Sequence, residues 1–125
     1  MTLSVKKKEI TSLSLARNVR KALEAHKGER IMLFDVRKIS DVTDFYILVS
    51  AAAPPHLRAL ADEVRNTLEE QGEHCYRQSG TAEDGWIALD YVDVIIHIFL
   101  NELRDYYALE ELWAGAPKVG QGRSR

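Results

Sequence analysis

The chain has 125 residues, a length that fits one domain with a single core. Hydrophobic residues make up 46% and charged residues 29%, ordinary for a globular protein, and 17 basic against 19 acidic residues leave a formal net charge of -2. A protein that binds nucleic acid mainly through phosphates carries a clear basic excess, so no primary nucleic-acid binding is expected and a protein surface fits better as partner.

Residues 1–9 are polar, contain Lys6, Lys7 and Lys8, and are expected to be flexible. No apolar stretch of signal-peptide length follows them. The spacing of Ile10, Leu13, Ala16, Val19 and Leu23 predicts a helix over 10–26, with Thr11 or Ser12 as cap and Gly28 as terminator. The continuous apolar run at 31–36 predicts a strand covered on both faces, and Phe-Tyr-Ile-Leu-Val-Ser at 45–50 a second one. Pro54 and Pro55 suit the first turn of a helix, and Leu57, Leu60, Ala61, Val64 and Leu68 mark its apolar face over 55–71, with Gly72 as C-cap.

Three shorter strands are predicted at 74–77, 86–90 and 94–99. A polar loop at 79–85 and a tight hairpin at Asp90-Tyr91-Val92-Asp93 separate them. The apolar run at 94–100 is interrupted by His97 and is too short to span a bilayer, so no membrane partner is expected. A last helical region is predicted at 101–113, with Asn101 as cap, and 114–125 reads as a disordered tail rich in glycine. Helix, strand, strand, helix, three strands, helix gives an α/β (α+β) domain over 10–113: a mixed sheet of about five strands flanked by helices, not a strictly alternating doubly wound fold.

Several residues raise chemical questions. Asp35, Asp44, Asp90 and Asp93 stand at strand ends or turns, where clustered carboxylates can hold Mg²⁺. The phosphate-holding glycine or serine turn such an enzyme needs is missing, since Ala51-Ala52-Ala53 follows the second strand. Turn-capping aspartates are the simpler reading. His97 stands among apolar residues with no serine or cysteine spaced to form a nucleophile pair, and reads as a core or edge residue with one hydrogen bond. His26, His56 and His74 show no ligand spacing. The single cysteine, Cys75, forms neither an internal disulfide nor a structural zinc site, and reads as a half-buried strand thiol in a reducing cytoplasm. Trp86, Tyr91, Tyr106, Tyr107 and Trp113 crowd the C-terminal third; adjacent Tyr106 and Tyr107 cannot both be buried by one helix face, so one is left for solvent or a partner.

Separated blocks in a fixed order carry a family resemblance. They are Asp35-Val36 with Ser40-Asp41-Val42-Thr43-Asp44-Phe45-Tyr46-Ile47, then Leu60-Ala61-Asp62 with Val64, then the run 85–99 from Gly85 and Trp86 through Asp90-Tyr91-Val92-Asp93 to His97-Ile98-Phe99, and last the run 104–113 from Arg104 to Trp113. Over 33–113 the chain resembles the ribosomal silencing factor (Iojap-like) family. It departs at Ala51-Ala52-Ala53, at Ser79-Gly80, and at Val92, where the family hairpin is usually Asp-Tyr-Gly-Asp. Glycine would allow a positive φ that valine resists, which bears on the placement of Tyr91.

The resemblance implies a scaffold similar to nucleotidyltransferases but without their active site, a cytoplasmic location, and no enzymatic activity, cofactor or metal. It implies binding to the large ribosomal subunit through ribosomal protein number fourteen, steric blocking of subunit joining, and repression of translation when nutrients are short. Large-subunit assembly is the alternative role, and a nucleotide-binding or nucleotidyltransferase-like enzyme a more distant one. Relatives can form dimers, so a homodimer through the same patch stays open. The expected partner-binding residues are Trp86, Asp90, Arg104 and Tyr107, supported by Leu103 and Tyr106.

Overall fold

A computed structural model describes residues 2–107 and 115–119, with side chains from Ser12 onward except that of Tyr107. The elements are α1 (Thr2–Ala25), β1 (Glu29–Asp35), β2 (Phe45–Ala51), α2 (Pro54–Glu70), β3 (Arg77–Thr81), β4 (Trp86–Asp90), β5 (Val94–Leu100) and α3 (Asn101–Tyr107). The strands form one sheet in the order β1-β2-β5-β4-β3. β2 and β5 run parallel in its centre, and the other three pairings are antiparallel. This is the mixed five-stranded α+β sheet expected from the pattern.

Two helices cover one face. Leu15, Ala16, Val19 and Leu23 of α1 and Leu57, Leu60, Ala61, Val64 and Leu68 of α2 are buried there. They pack on Leu33, Phe45, Ile47, Val49, Ile87, Leu89, Val94, Ile96 and Ile98, the residues of one parity along each strand. Fully burying each such side chain stabilises by about 1.5–3 kcal/mol, so this layer holds the fold together. α2 starts as predicted, with proline in its first turn, and closes at Gly72, whose φ of 84° suits the residue past a helix end.

Two elements differ most from the sequence reading. α1 begins at Thr2 rather than at residue 10, so the stretch expected to be flexible is helical from Thr2 onward. β3 lies at Arg77–Thr81, not 74–77, and takes in part of the expected loop 79–85. It is an edge strand with exposed polar residues, which leaves no apolar signal to read. Gly80 takes φ 82° there, and a Cβ on it would run into the Trp86 backbone. Cys75 is half-buried but precedes the strand; its thiol donates to the Arg77 carbonyl at 3.2 Å.

Residues 115–119, placed by the sequence in a disordered tail, are ordered along the outer edge of β1. The Asp35 N–H donates to the Pro117 carbonyl at 2.9 Å and the Val119 N–H to the Leu33 carbonyl at 2.8 Å, bracketing an antiparallel bridge between Phe34 and Lys118. Residues 108–113 of the last predicted helix, and 114 and 120–125 of the predicted tail, lie outside the described residues.

Candidate protein-docking surface

The strand residues of opposite parity point away from α1 and α2. Across β2, β5 and β4 they fall in register: Tyr46 beside Ile95 and Asp90, Leu48 beside His97 and Ala88, Ser50 beside Phe99 and Trp86. Among the described residues, cover on this face comes from 115–119 at the β1 side and from Arg104 of α3 at the Ser50 end. Between them lies a continuous ring array. Tyr46 and His97 have centroids 5.7 Å apart, His97 and Trp86 6.3 Å, Trp86 and Phe99 6.0 Å, and His97 and Phe99 6.1 Å. All four are half-buried, whereas their aliphatic neighbours on the helix side are buried.

One hydrogen bond orders the array. The Trp86 indole N–H donates to Nδ1 of His97 at 3.3 Å. The small Ala88 stands directly opposite His97 across β4 and β5, so the indole, two residues along the same face, reaches past a methyl group. Nδ1 must be unprotonated to accept, and burial pushes the His97 pKa down to about 4. The imidazole is therefore neutral near pH 7. The Tyr46 hydroxyl is raised above its ordinary value by burial and by the nearby Asp90 carboxylate.

Asp90 stands at the end of this face, and its Oδ1 accepts the Val92 N–H at 2.8 Å. That bond helps fix the turn into β5, where Val92 takes φ 72° and remains 54% exposed. The turn therefore keeps the left-handed geometry expected of glycine although valine occupies it. Tyr91 is buried within the helix-side core, where burial pushes its hydroxyl up to about 12.

The expected partner-binding residues divide. Trp86 and Asp90 share the open face. Leu103 is half-buried on α3 against Gly85, where a Cβ would meet its Cδ1. Tyr106 is 79% exposed. Tyr107 closes α3, and its side chain lies outside the described residues. Arg104 needs correction: it is fully buried, and its guanidinium donates to the Ser50 hydroxyl at 2.8 Å. A charged group locked inside the fold is not offered to a partner. Tyr46, His97 and Phe99 were missed as members of the surface. The available signal was parity: Ile95, His97 and Phe99 alternate with the wholly aliphatic Val94, Ile96 and Ile98.

Asp35 and Asp90 behave as turn residues. Asp35 accepts from the Arg37 backbone N–H and from its guanidinium, and that hydrogen bonding holds its carboxyl below the usual range. Among the described residues, no group of three histidines, cysteines, aspartates or glutamates is placed to hold a metal.

The chain resembles known proteins in sequence and in fold. Residues 9–124 match the family model described as ribosomal silencing factor during starvation. The ribosomal silencing factor RsfS of Halalkalibacterium halodurans is 33% identical over 98 residues, covering 78% of this chain and 84% of the relative. That of Bacillus subtilis is 31% identical over 96 residues, covering 77% and 81%. The X-ray structure of a Chromobacterium violaceum protein superposes with a TM-score of 0.78 at 28% identity, covering 90% of this chain and 92% of that one. The sheet, its two covering helices and the motif blocks thus fall into place together: the chain belongs to the ribosomal silencing factor family.

Proposed function

We propose that the open aromatic face docks on the large ribosomal subunit, at ribosomal protein number fourteen, and that the bound chain blocks joining of the small subunit and so represses translation. One observation carries this reading: Tyr46, His97, Trp86 and Phe99 form a half-buried ring array on a sheet face that α1 and α2 leave open. Rings held against one another present a large, rigid contact area at low entropic cost, which is what interface anchors supply. Asp90 adds an acceptor at one end, and Leu103 and Tyr106 of α3 extend the surface at the other. The net charge of -2 favours a protein partner over bare RNA. The chain acts by occupancy and performs no chemistry; the likeness to nucleotidyltransferases is one of scaffold, and a scaffold transfers no activity.

The test is sedimentation with purified subunits. The chain is expected to travel with large subunits, not with small ones, and to reduce formation of the joined particle. Trp86→Ala, shown to be folded, is expected to lose that association. A folded chain that ignores large subunits, or a folded Trp86→Ala chain that binds them as the parent does, overturns the assignment.

A further inference from the structure

Among the described residues, no strand pairs with β3 on the side away from β4. Hydrogen-bond alternation shows what that open edge offers. The Leu100 N–H donates to the Gly85 carbonyl at 3.0 Å, and the Tyr91 N–H to the Val94 carbonyl at 2.9 Å. Both pairs keep the β4–β5 register, so the main-chain groups of Ile87 and Leu89 also face β5, and those of Trp86, Ala88 and Asp90 face β3. The Tyr76 N–H, which donates to the Asp90 carbonyl at 2.8 Å, agrees with this. The β3 residues bonded to β4 are then Arg77, Ser79 and Thr81. Gln78, between them, turns both its N–H and its carbonyl to the open edge.

A groove of about 290 Å³ lies between this strand and α2, on the helix side of the sheet. Ala61, Ala82 and Ile87, all buried, form its floor. Its rim carries two ion pairs, Arg58 with Glu83 and Arg65 with Asp62, each at 2.5 Å. Arg65 also donates to the Gln78 side-chain oxygen, which ties α2 to β3. The volume falls below the usual range of small-molecule pockets. A small apolar floor inside a charged rim suits one aliphatic side chain.

Edge and groove are complementary to the same ligand. In an antiparallel pair, a residue that exchanges both main-chain bonds with Gln78 sets its side chain on the same face as that of Gln78. That is the face of the groove. Main-chain bonds then supply affinity and the groove supplies selectivity, the division of labour in strand addition. A second copy of this chain fits poorly. Its β1 edge is occupied by residues 115–119, and its β3 would present Gln78, a polar side chain already held by Arg65.

We propose that β3 and the groove beside it form a second docking site, which takes an extended segment of another protein as an added antiparallel strand with one aliphatic side chain in the groove. The site lies on the opposite side of the sheet from the aromatic face and does not depend on how that face is used.

The test uses the full-length chain and the peptide acetyl-Lys-Thr-Val-Thr-Lys-amide as probe. Amide NMR titration is expected to show binding that saturates by about 1 mM peptide. The Gln78 amide, open to exchange in the free chain, is expected to exchange at least about tenfold more slowly in the complex. Replacing the valine of the peptide by aspartate, or methylating its nitrogen, is expected to weaken binding at least about tenfold. Gln78→Pro deletes the outward donor at an edge position that tolerates proline and is expected to abolish binding in a folded chain, whereas Gln78→Ala is expected to keep it. The proposal fails if the peptide does not bind, if the aspartate or N-methyl peptide binds as the parent peptide does, if the Gln78 amide gains no protection, or if folded Gln78→Pro still binds. Should Gln78→Pro not fold, the N-methyl peptide decides alone, because it leaves the chain unchanged.

Discussion

The indole N–H of Trp86 donates to Nδ1 of His97 at 3.3 Å, with the two rings 14° from parallel. The bond exists only while His97 is neutral, which makes the aromatic face sensitive to acid. The folded-state pKa, about 4, lies below the ordinary 6.5. Below pH 6.5 the unfolded chain takes up a proton that the folded chain refuses until about pH 4, so stability falls across that window as pH falls. The loss amounts to roughly 3 kcal/mol. Urea unfolding between pH 7 and 4 is expected to show it, and His97→Phe to remove most of this slope.

Trp86 and Tyr106 separate docking from folding. Trp86→Ala is expected to weaken large-subunit binding by at least about 2 kcal/mol, or about thirtyfold in Kd, if Trp86 is an anchor. Half-buried in the ring array, it also costs stability, so the folded fraction must be measured alongside. Tyr106 is 79% exposed, and Tyr106→Ala is expected to shift stability by no more than about 0.5 kcal/mol. Any loss of binding by that variant then reports contact.

Arg104 gives the opposite result. Its buried guanidinium holds the Ser50 hydroxyl, so Arg104→Ala leaves a cavity and an unpaired polar group. A loss of about 2–4 kcal/mol is expected in chemical denaturation. Arg104→Lys is expected not to restore it, because an ammonium cannot reproduce the planar fork. Subunit binding by these variants should follow the folded fraction.

Val92 holds φ 72° with its side chain in solvent. A β-branched residue in that region carries strain of about 1–3 kcal/mol, and glycine would relieve it at an entropic cost of about 0.5–1 kcal/mol. Val92→Gly is therefore expected to stabilise the chain by about 1 kcal/mol in thermal or urea unfolding, with Tyr91 still buried.

The sequence made the helix-facing layer legible because that layer obeys simple periodicity. Leu57, Leu60, Ala61, Val64 and Leu68 recur at helical spacing, and all five are buried. β2 and β5 are largely apolar runs, interrupted only by Ser50 and His97, and both lie in the sheet centre. β3 was misplaced because Arg-Gln-Ser-Gly-Thr carries no apolar alternation; backbone pairing with β4 makes it a strand. Residues 115–119 were missed for the same reason, since Pro117 and Val119 join β1 through main-chain groups.

The candidate surface was only partly legible. Trp86 and Asp90, expected from the sequence, lie on the face that α1 and α2 leave open, but a single strand does not reveal which rings a neighbouring strand brings beside them. Tyr46 and His97 are 51 positions apart in sequence and meet only through the β2–β5 register. Arg104 was expected to pair with a partner's carboxylate or carbonyl; instead it turns inward and meets Ser50, 54 residues earlier.

The parallel pairing of β2 with β5 sets the order of assembly. It joins 45–51 to 94–100, with α2, β3 and β4 lying between. The β1–β2 and β4–β5 pairings join strands that are neighbours in sequence, but neither alone pairs β2 or β5 on both edges. The middle of the sheet closes only after a long loop has been drawn in, an entropic toll that slows folding relative to local contacts. On a translating ribosome, the nascent chain must emerge past Leu100 before its core can seal, and until then β2 is an apolar ribbon in need of shelter.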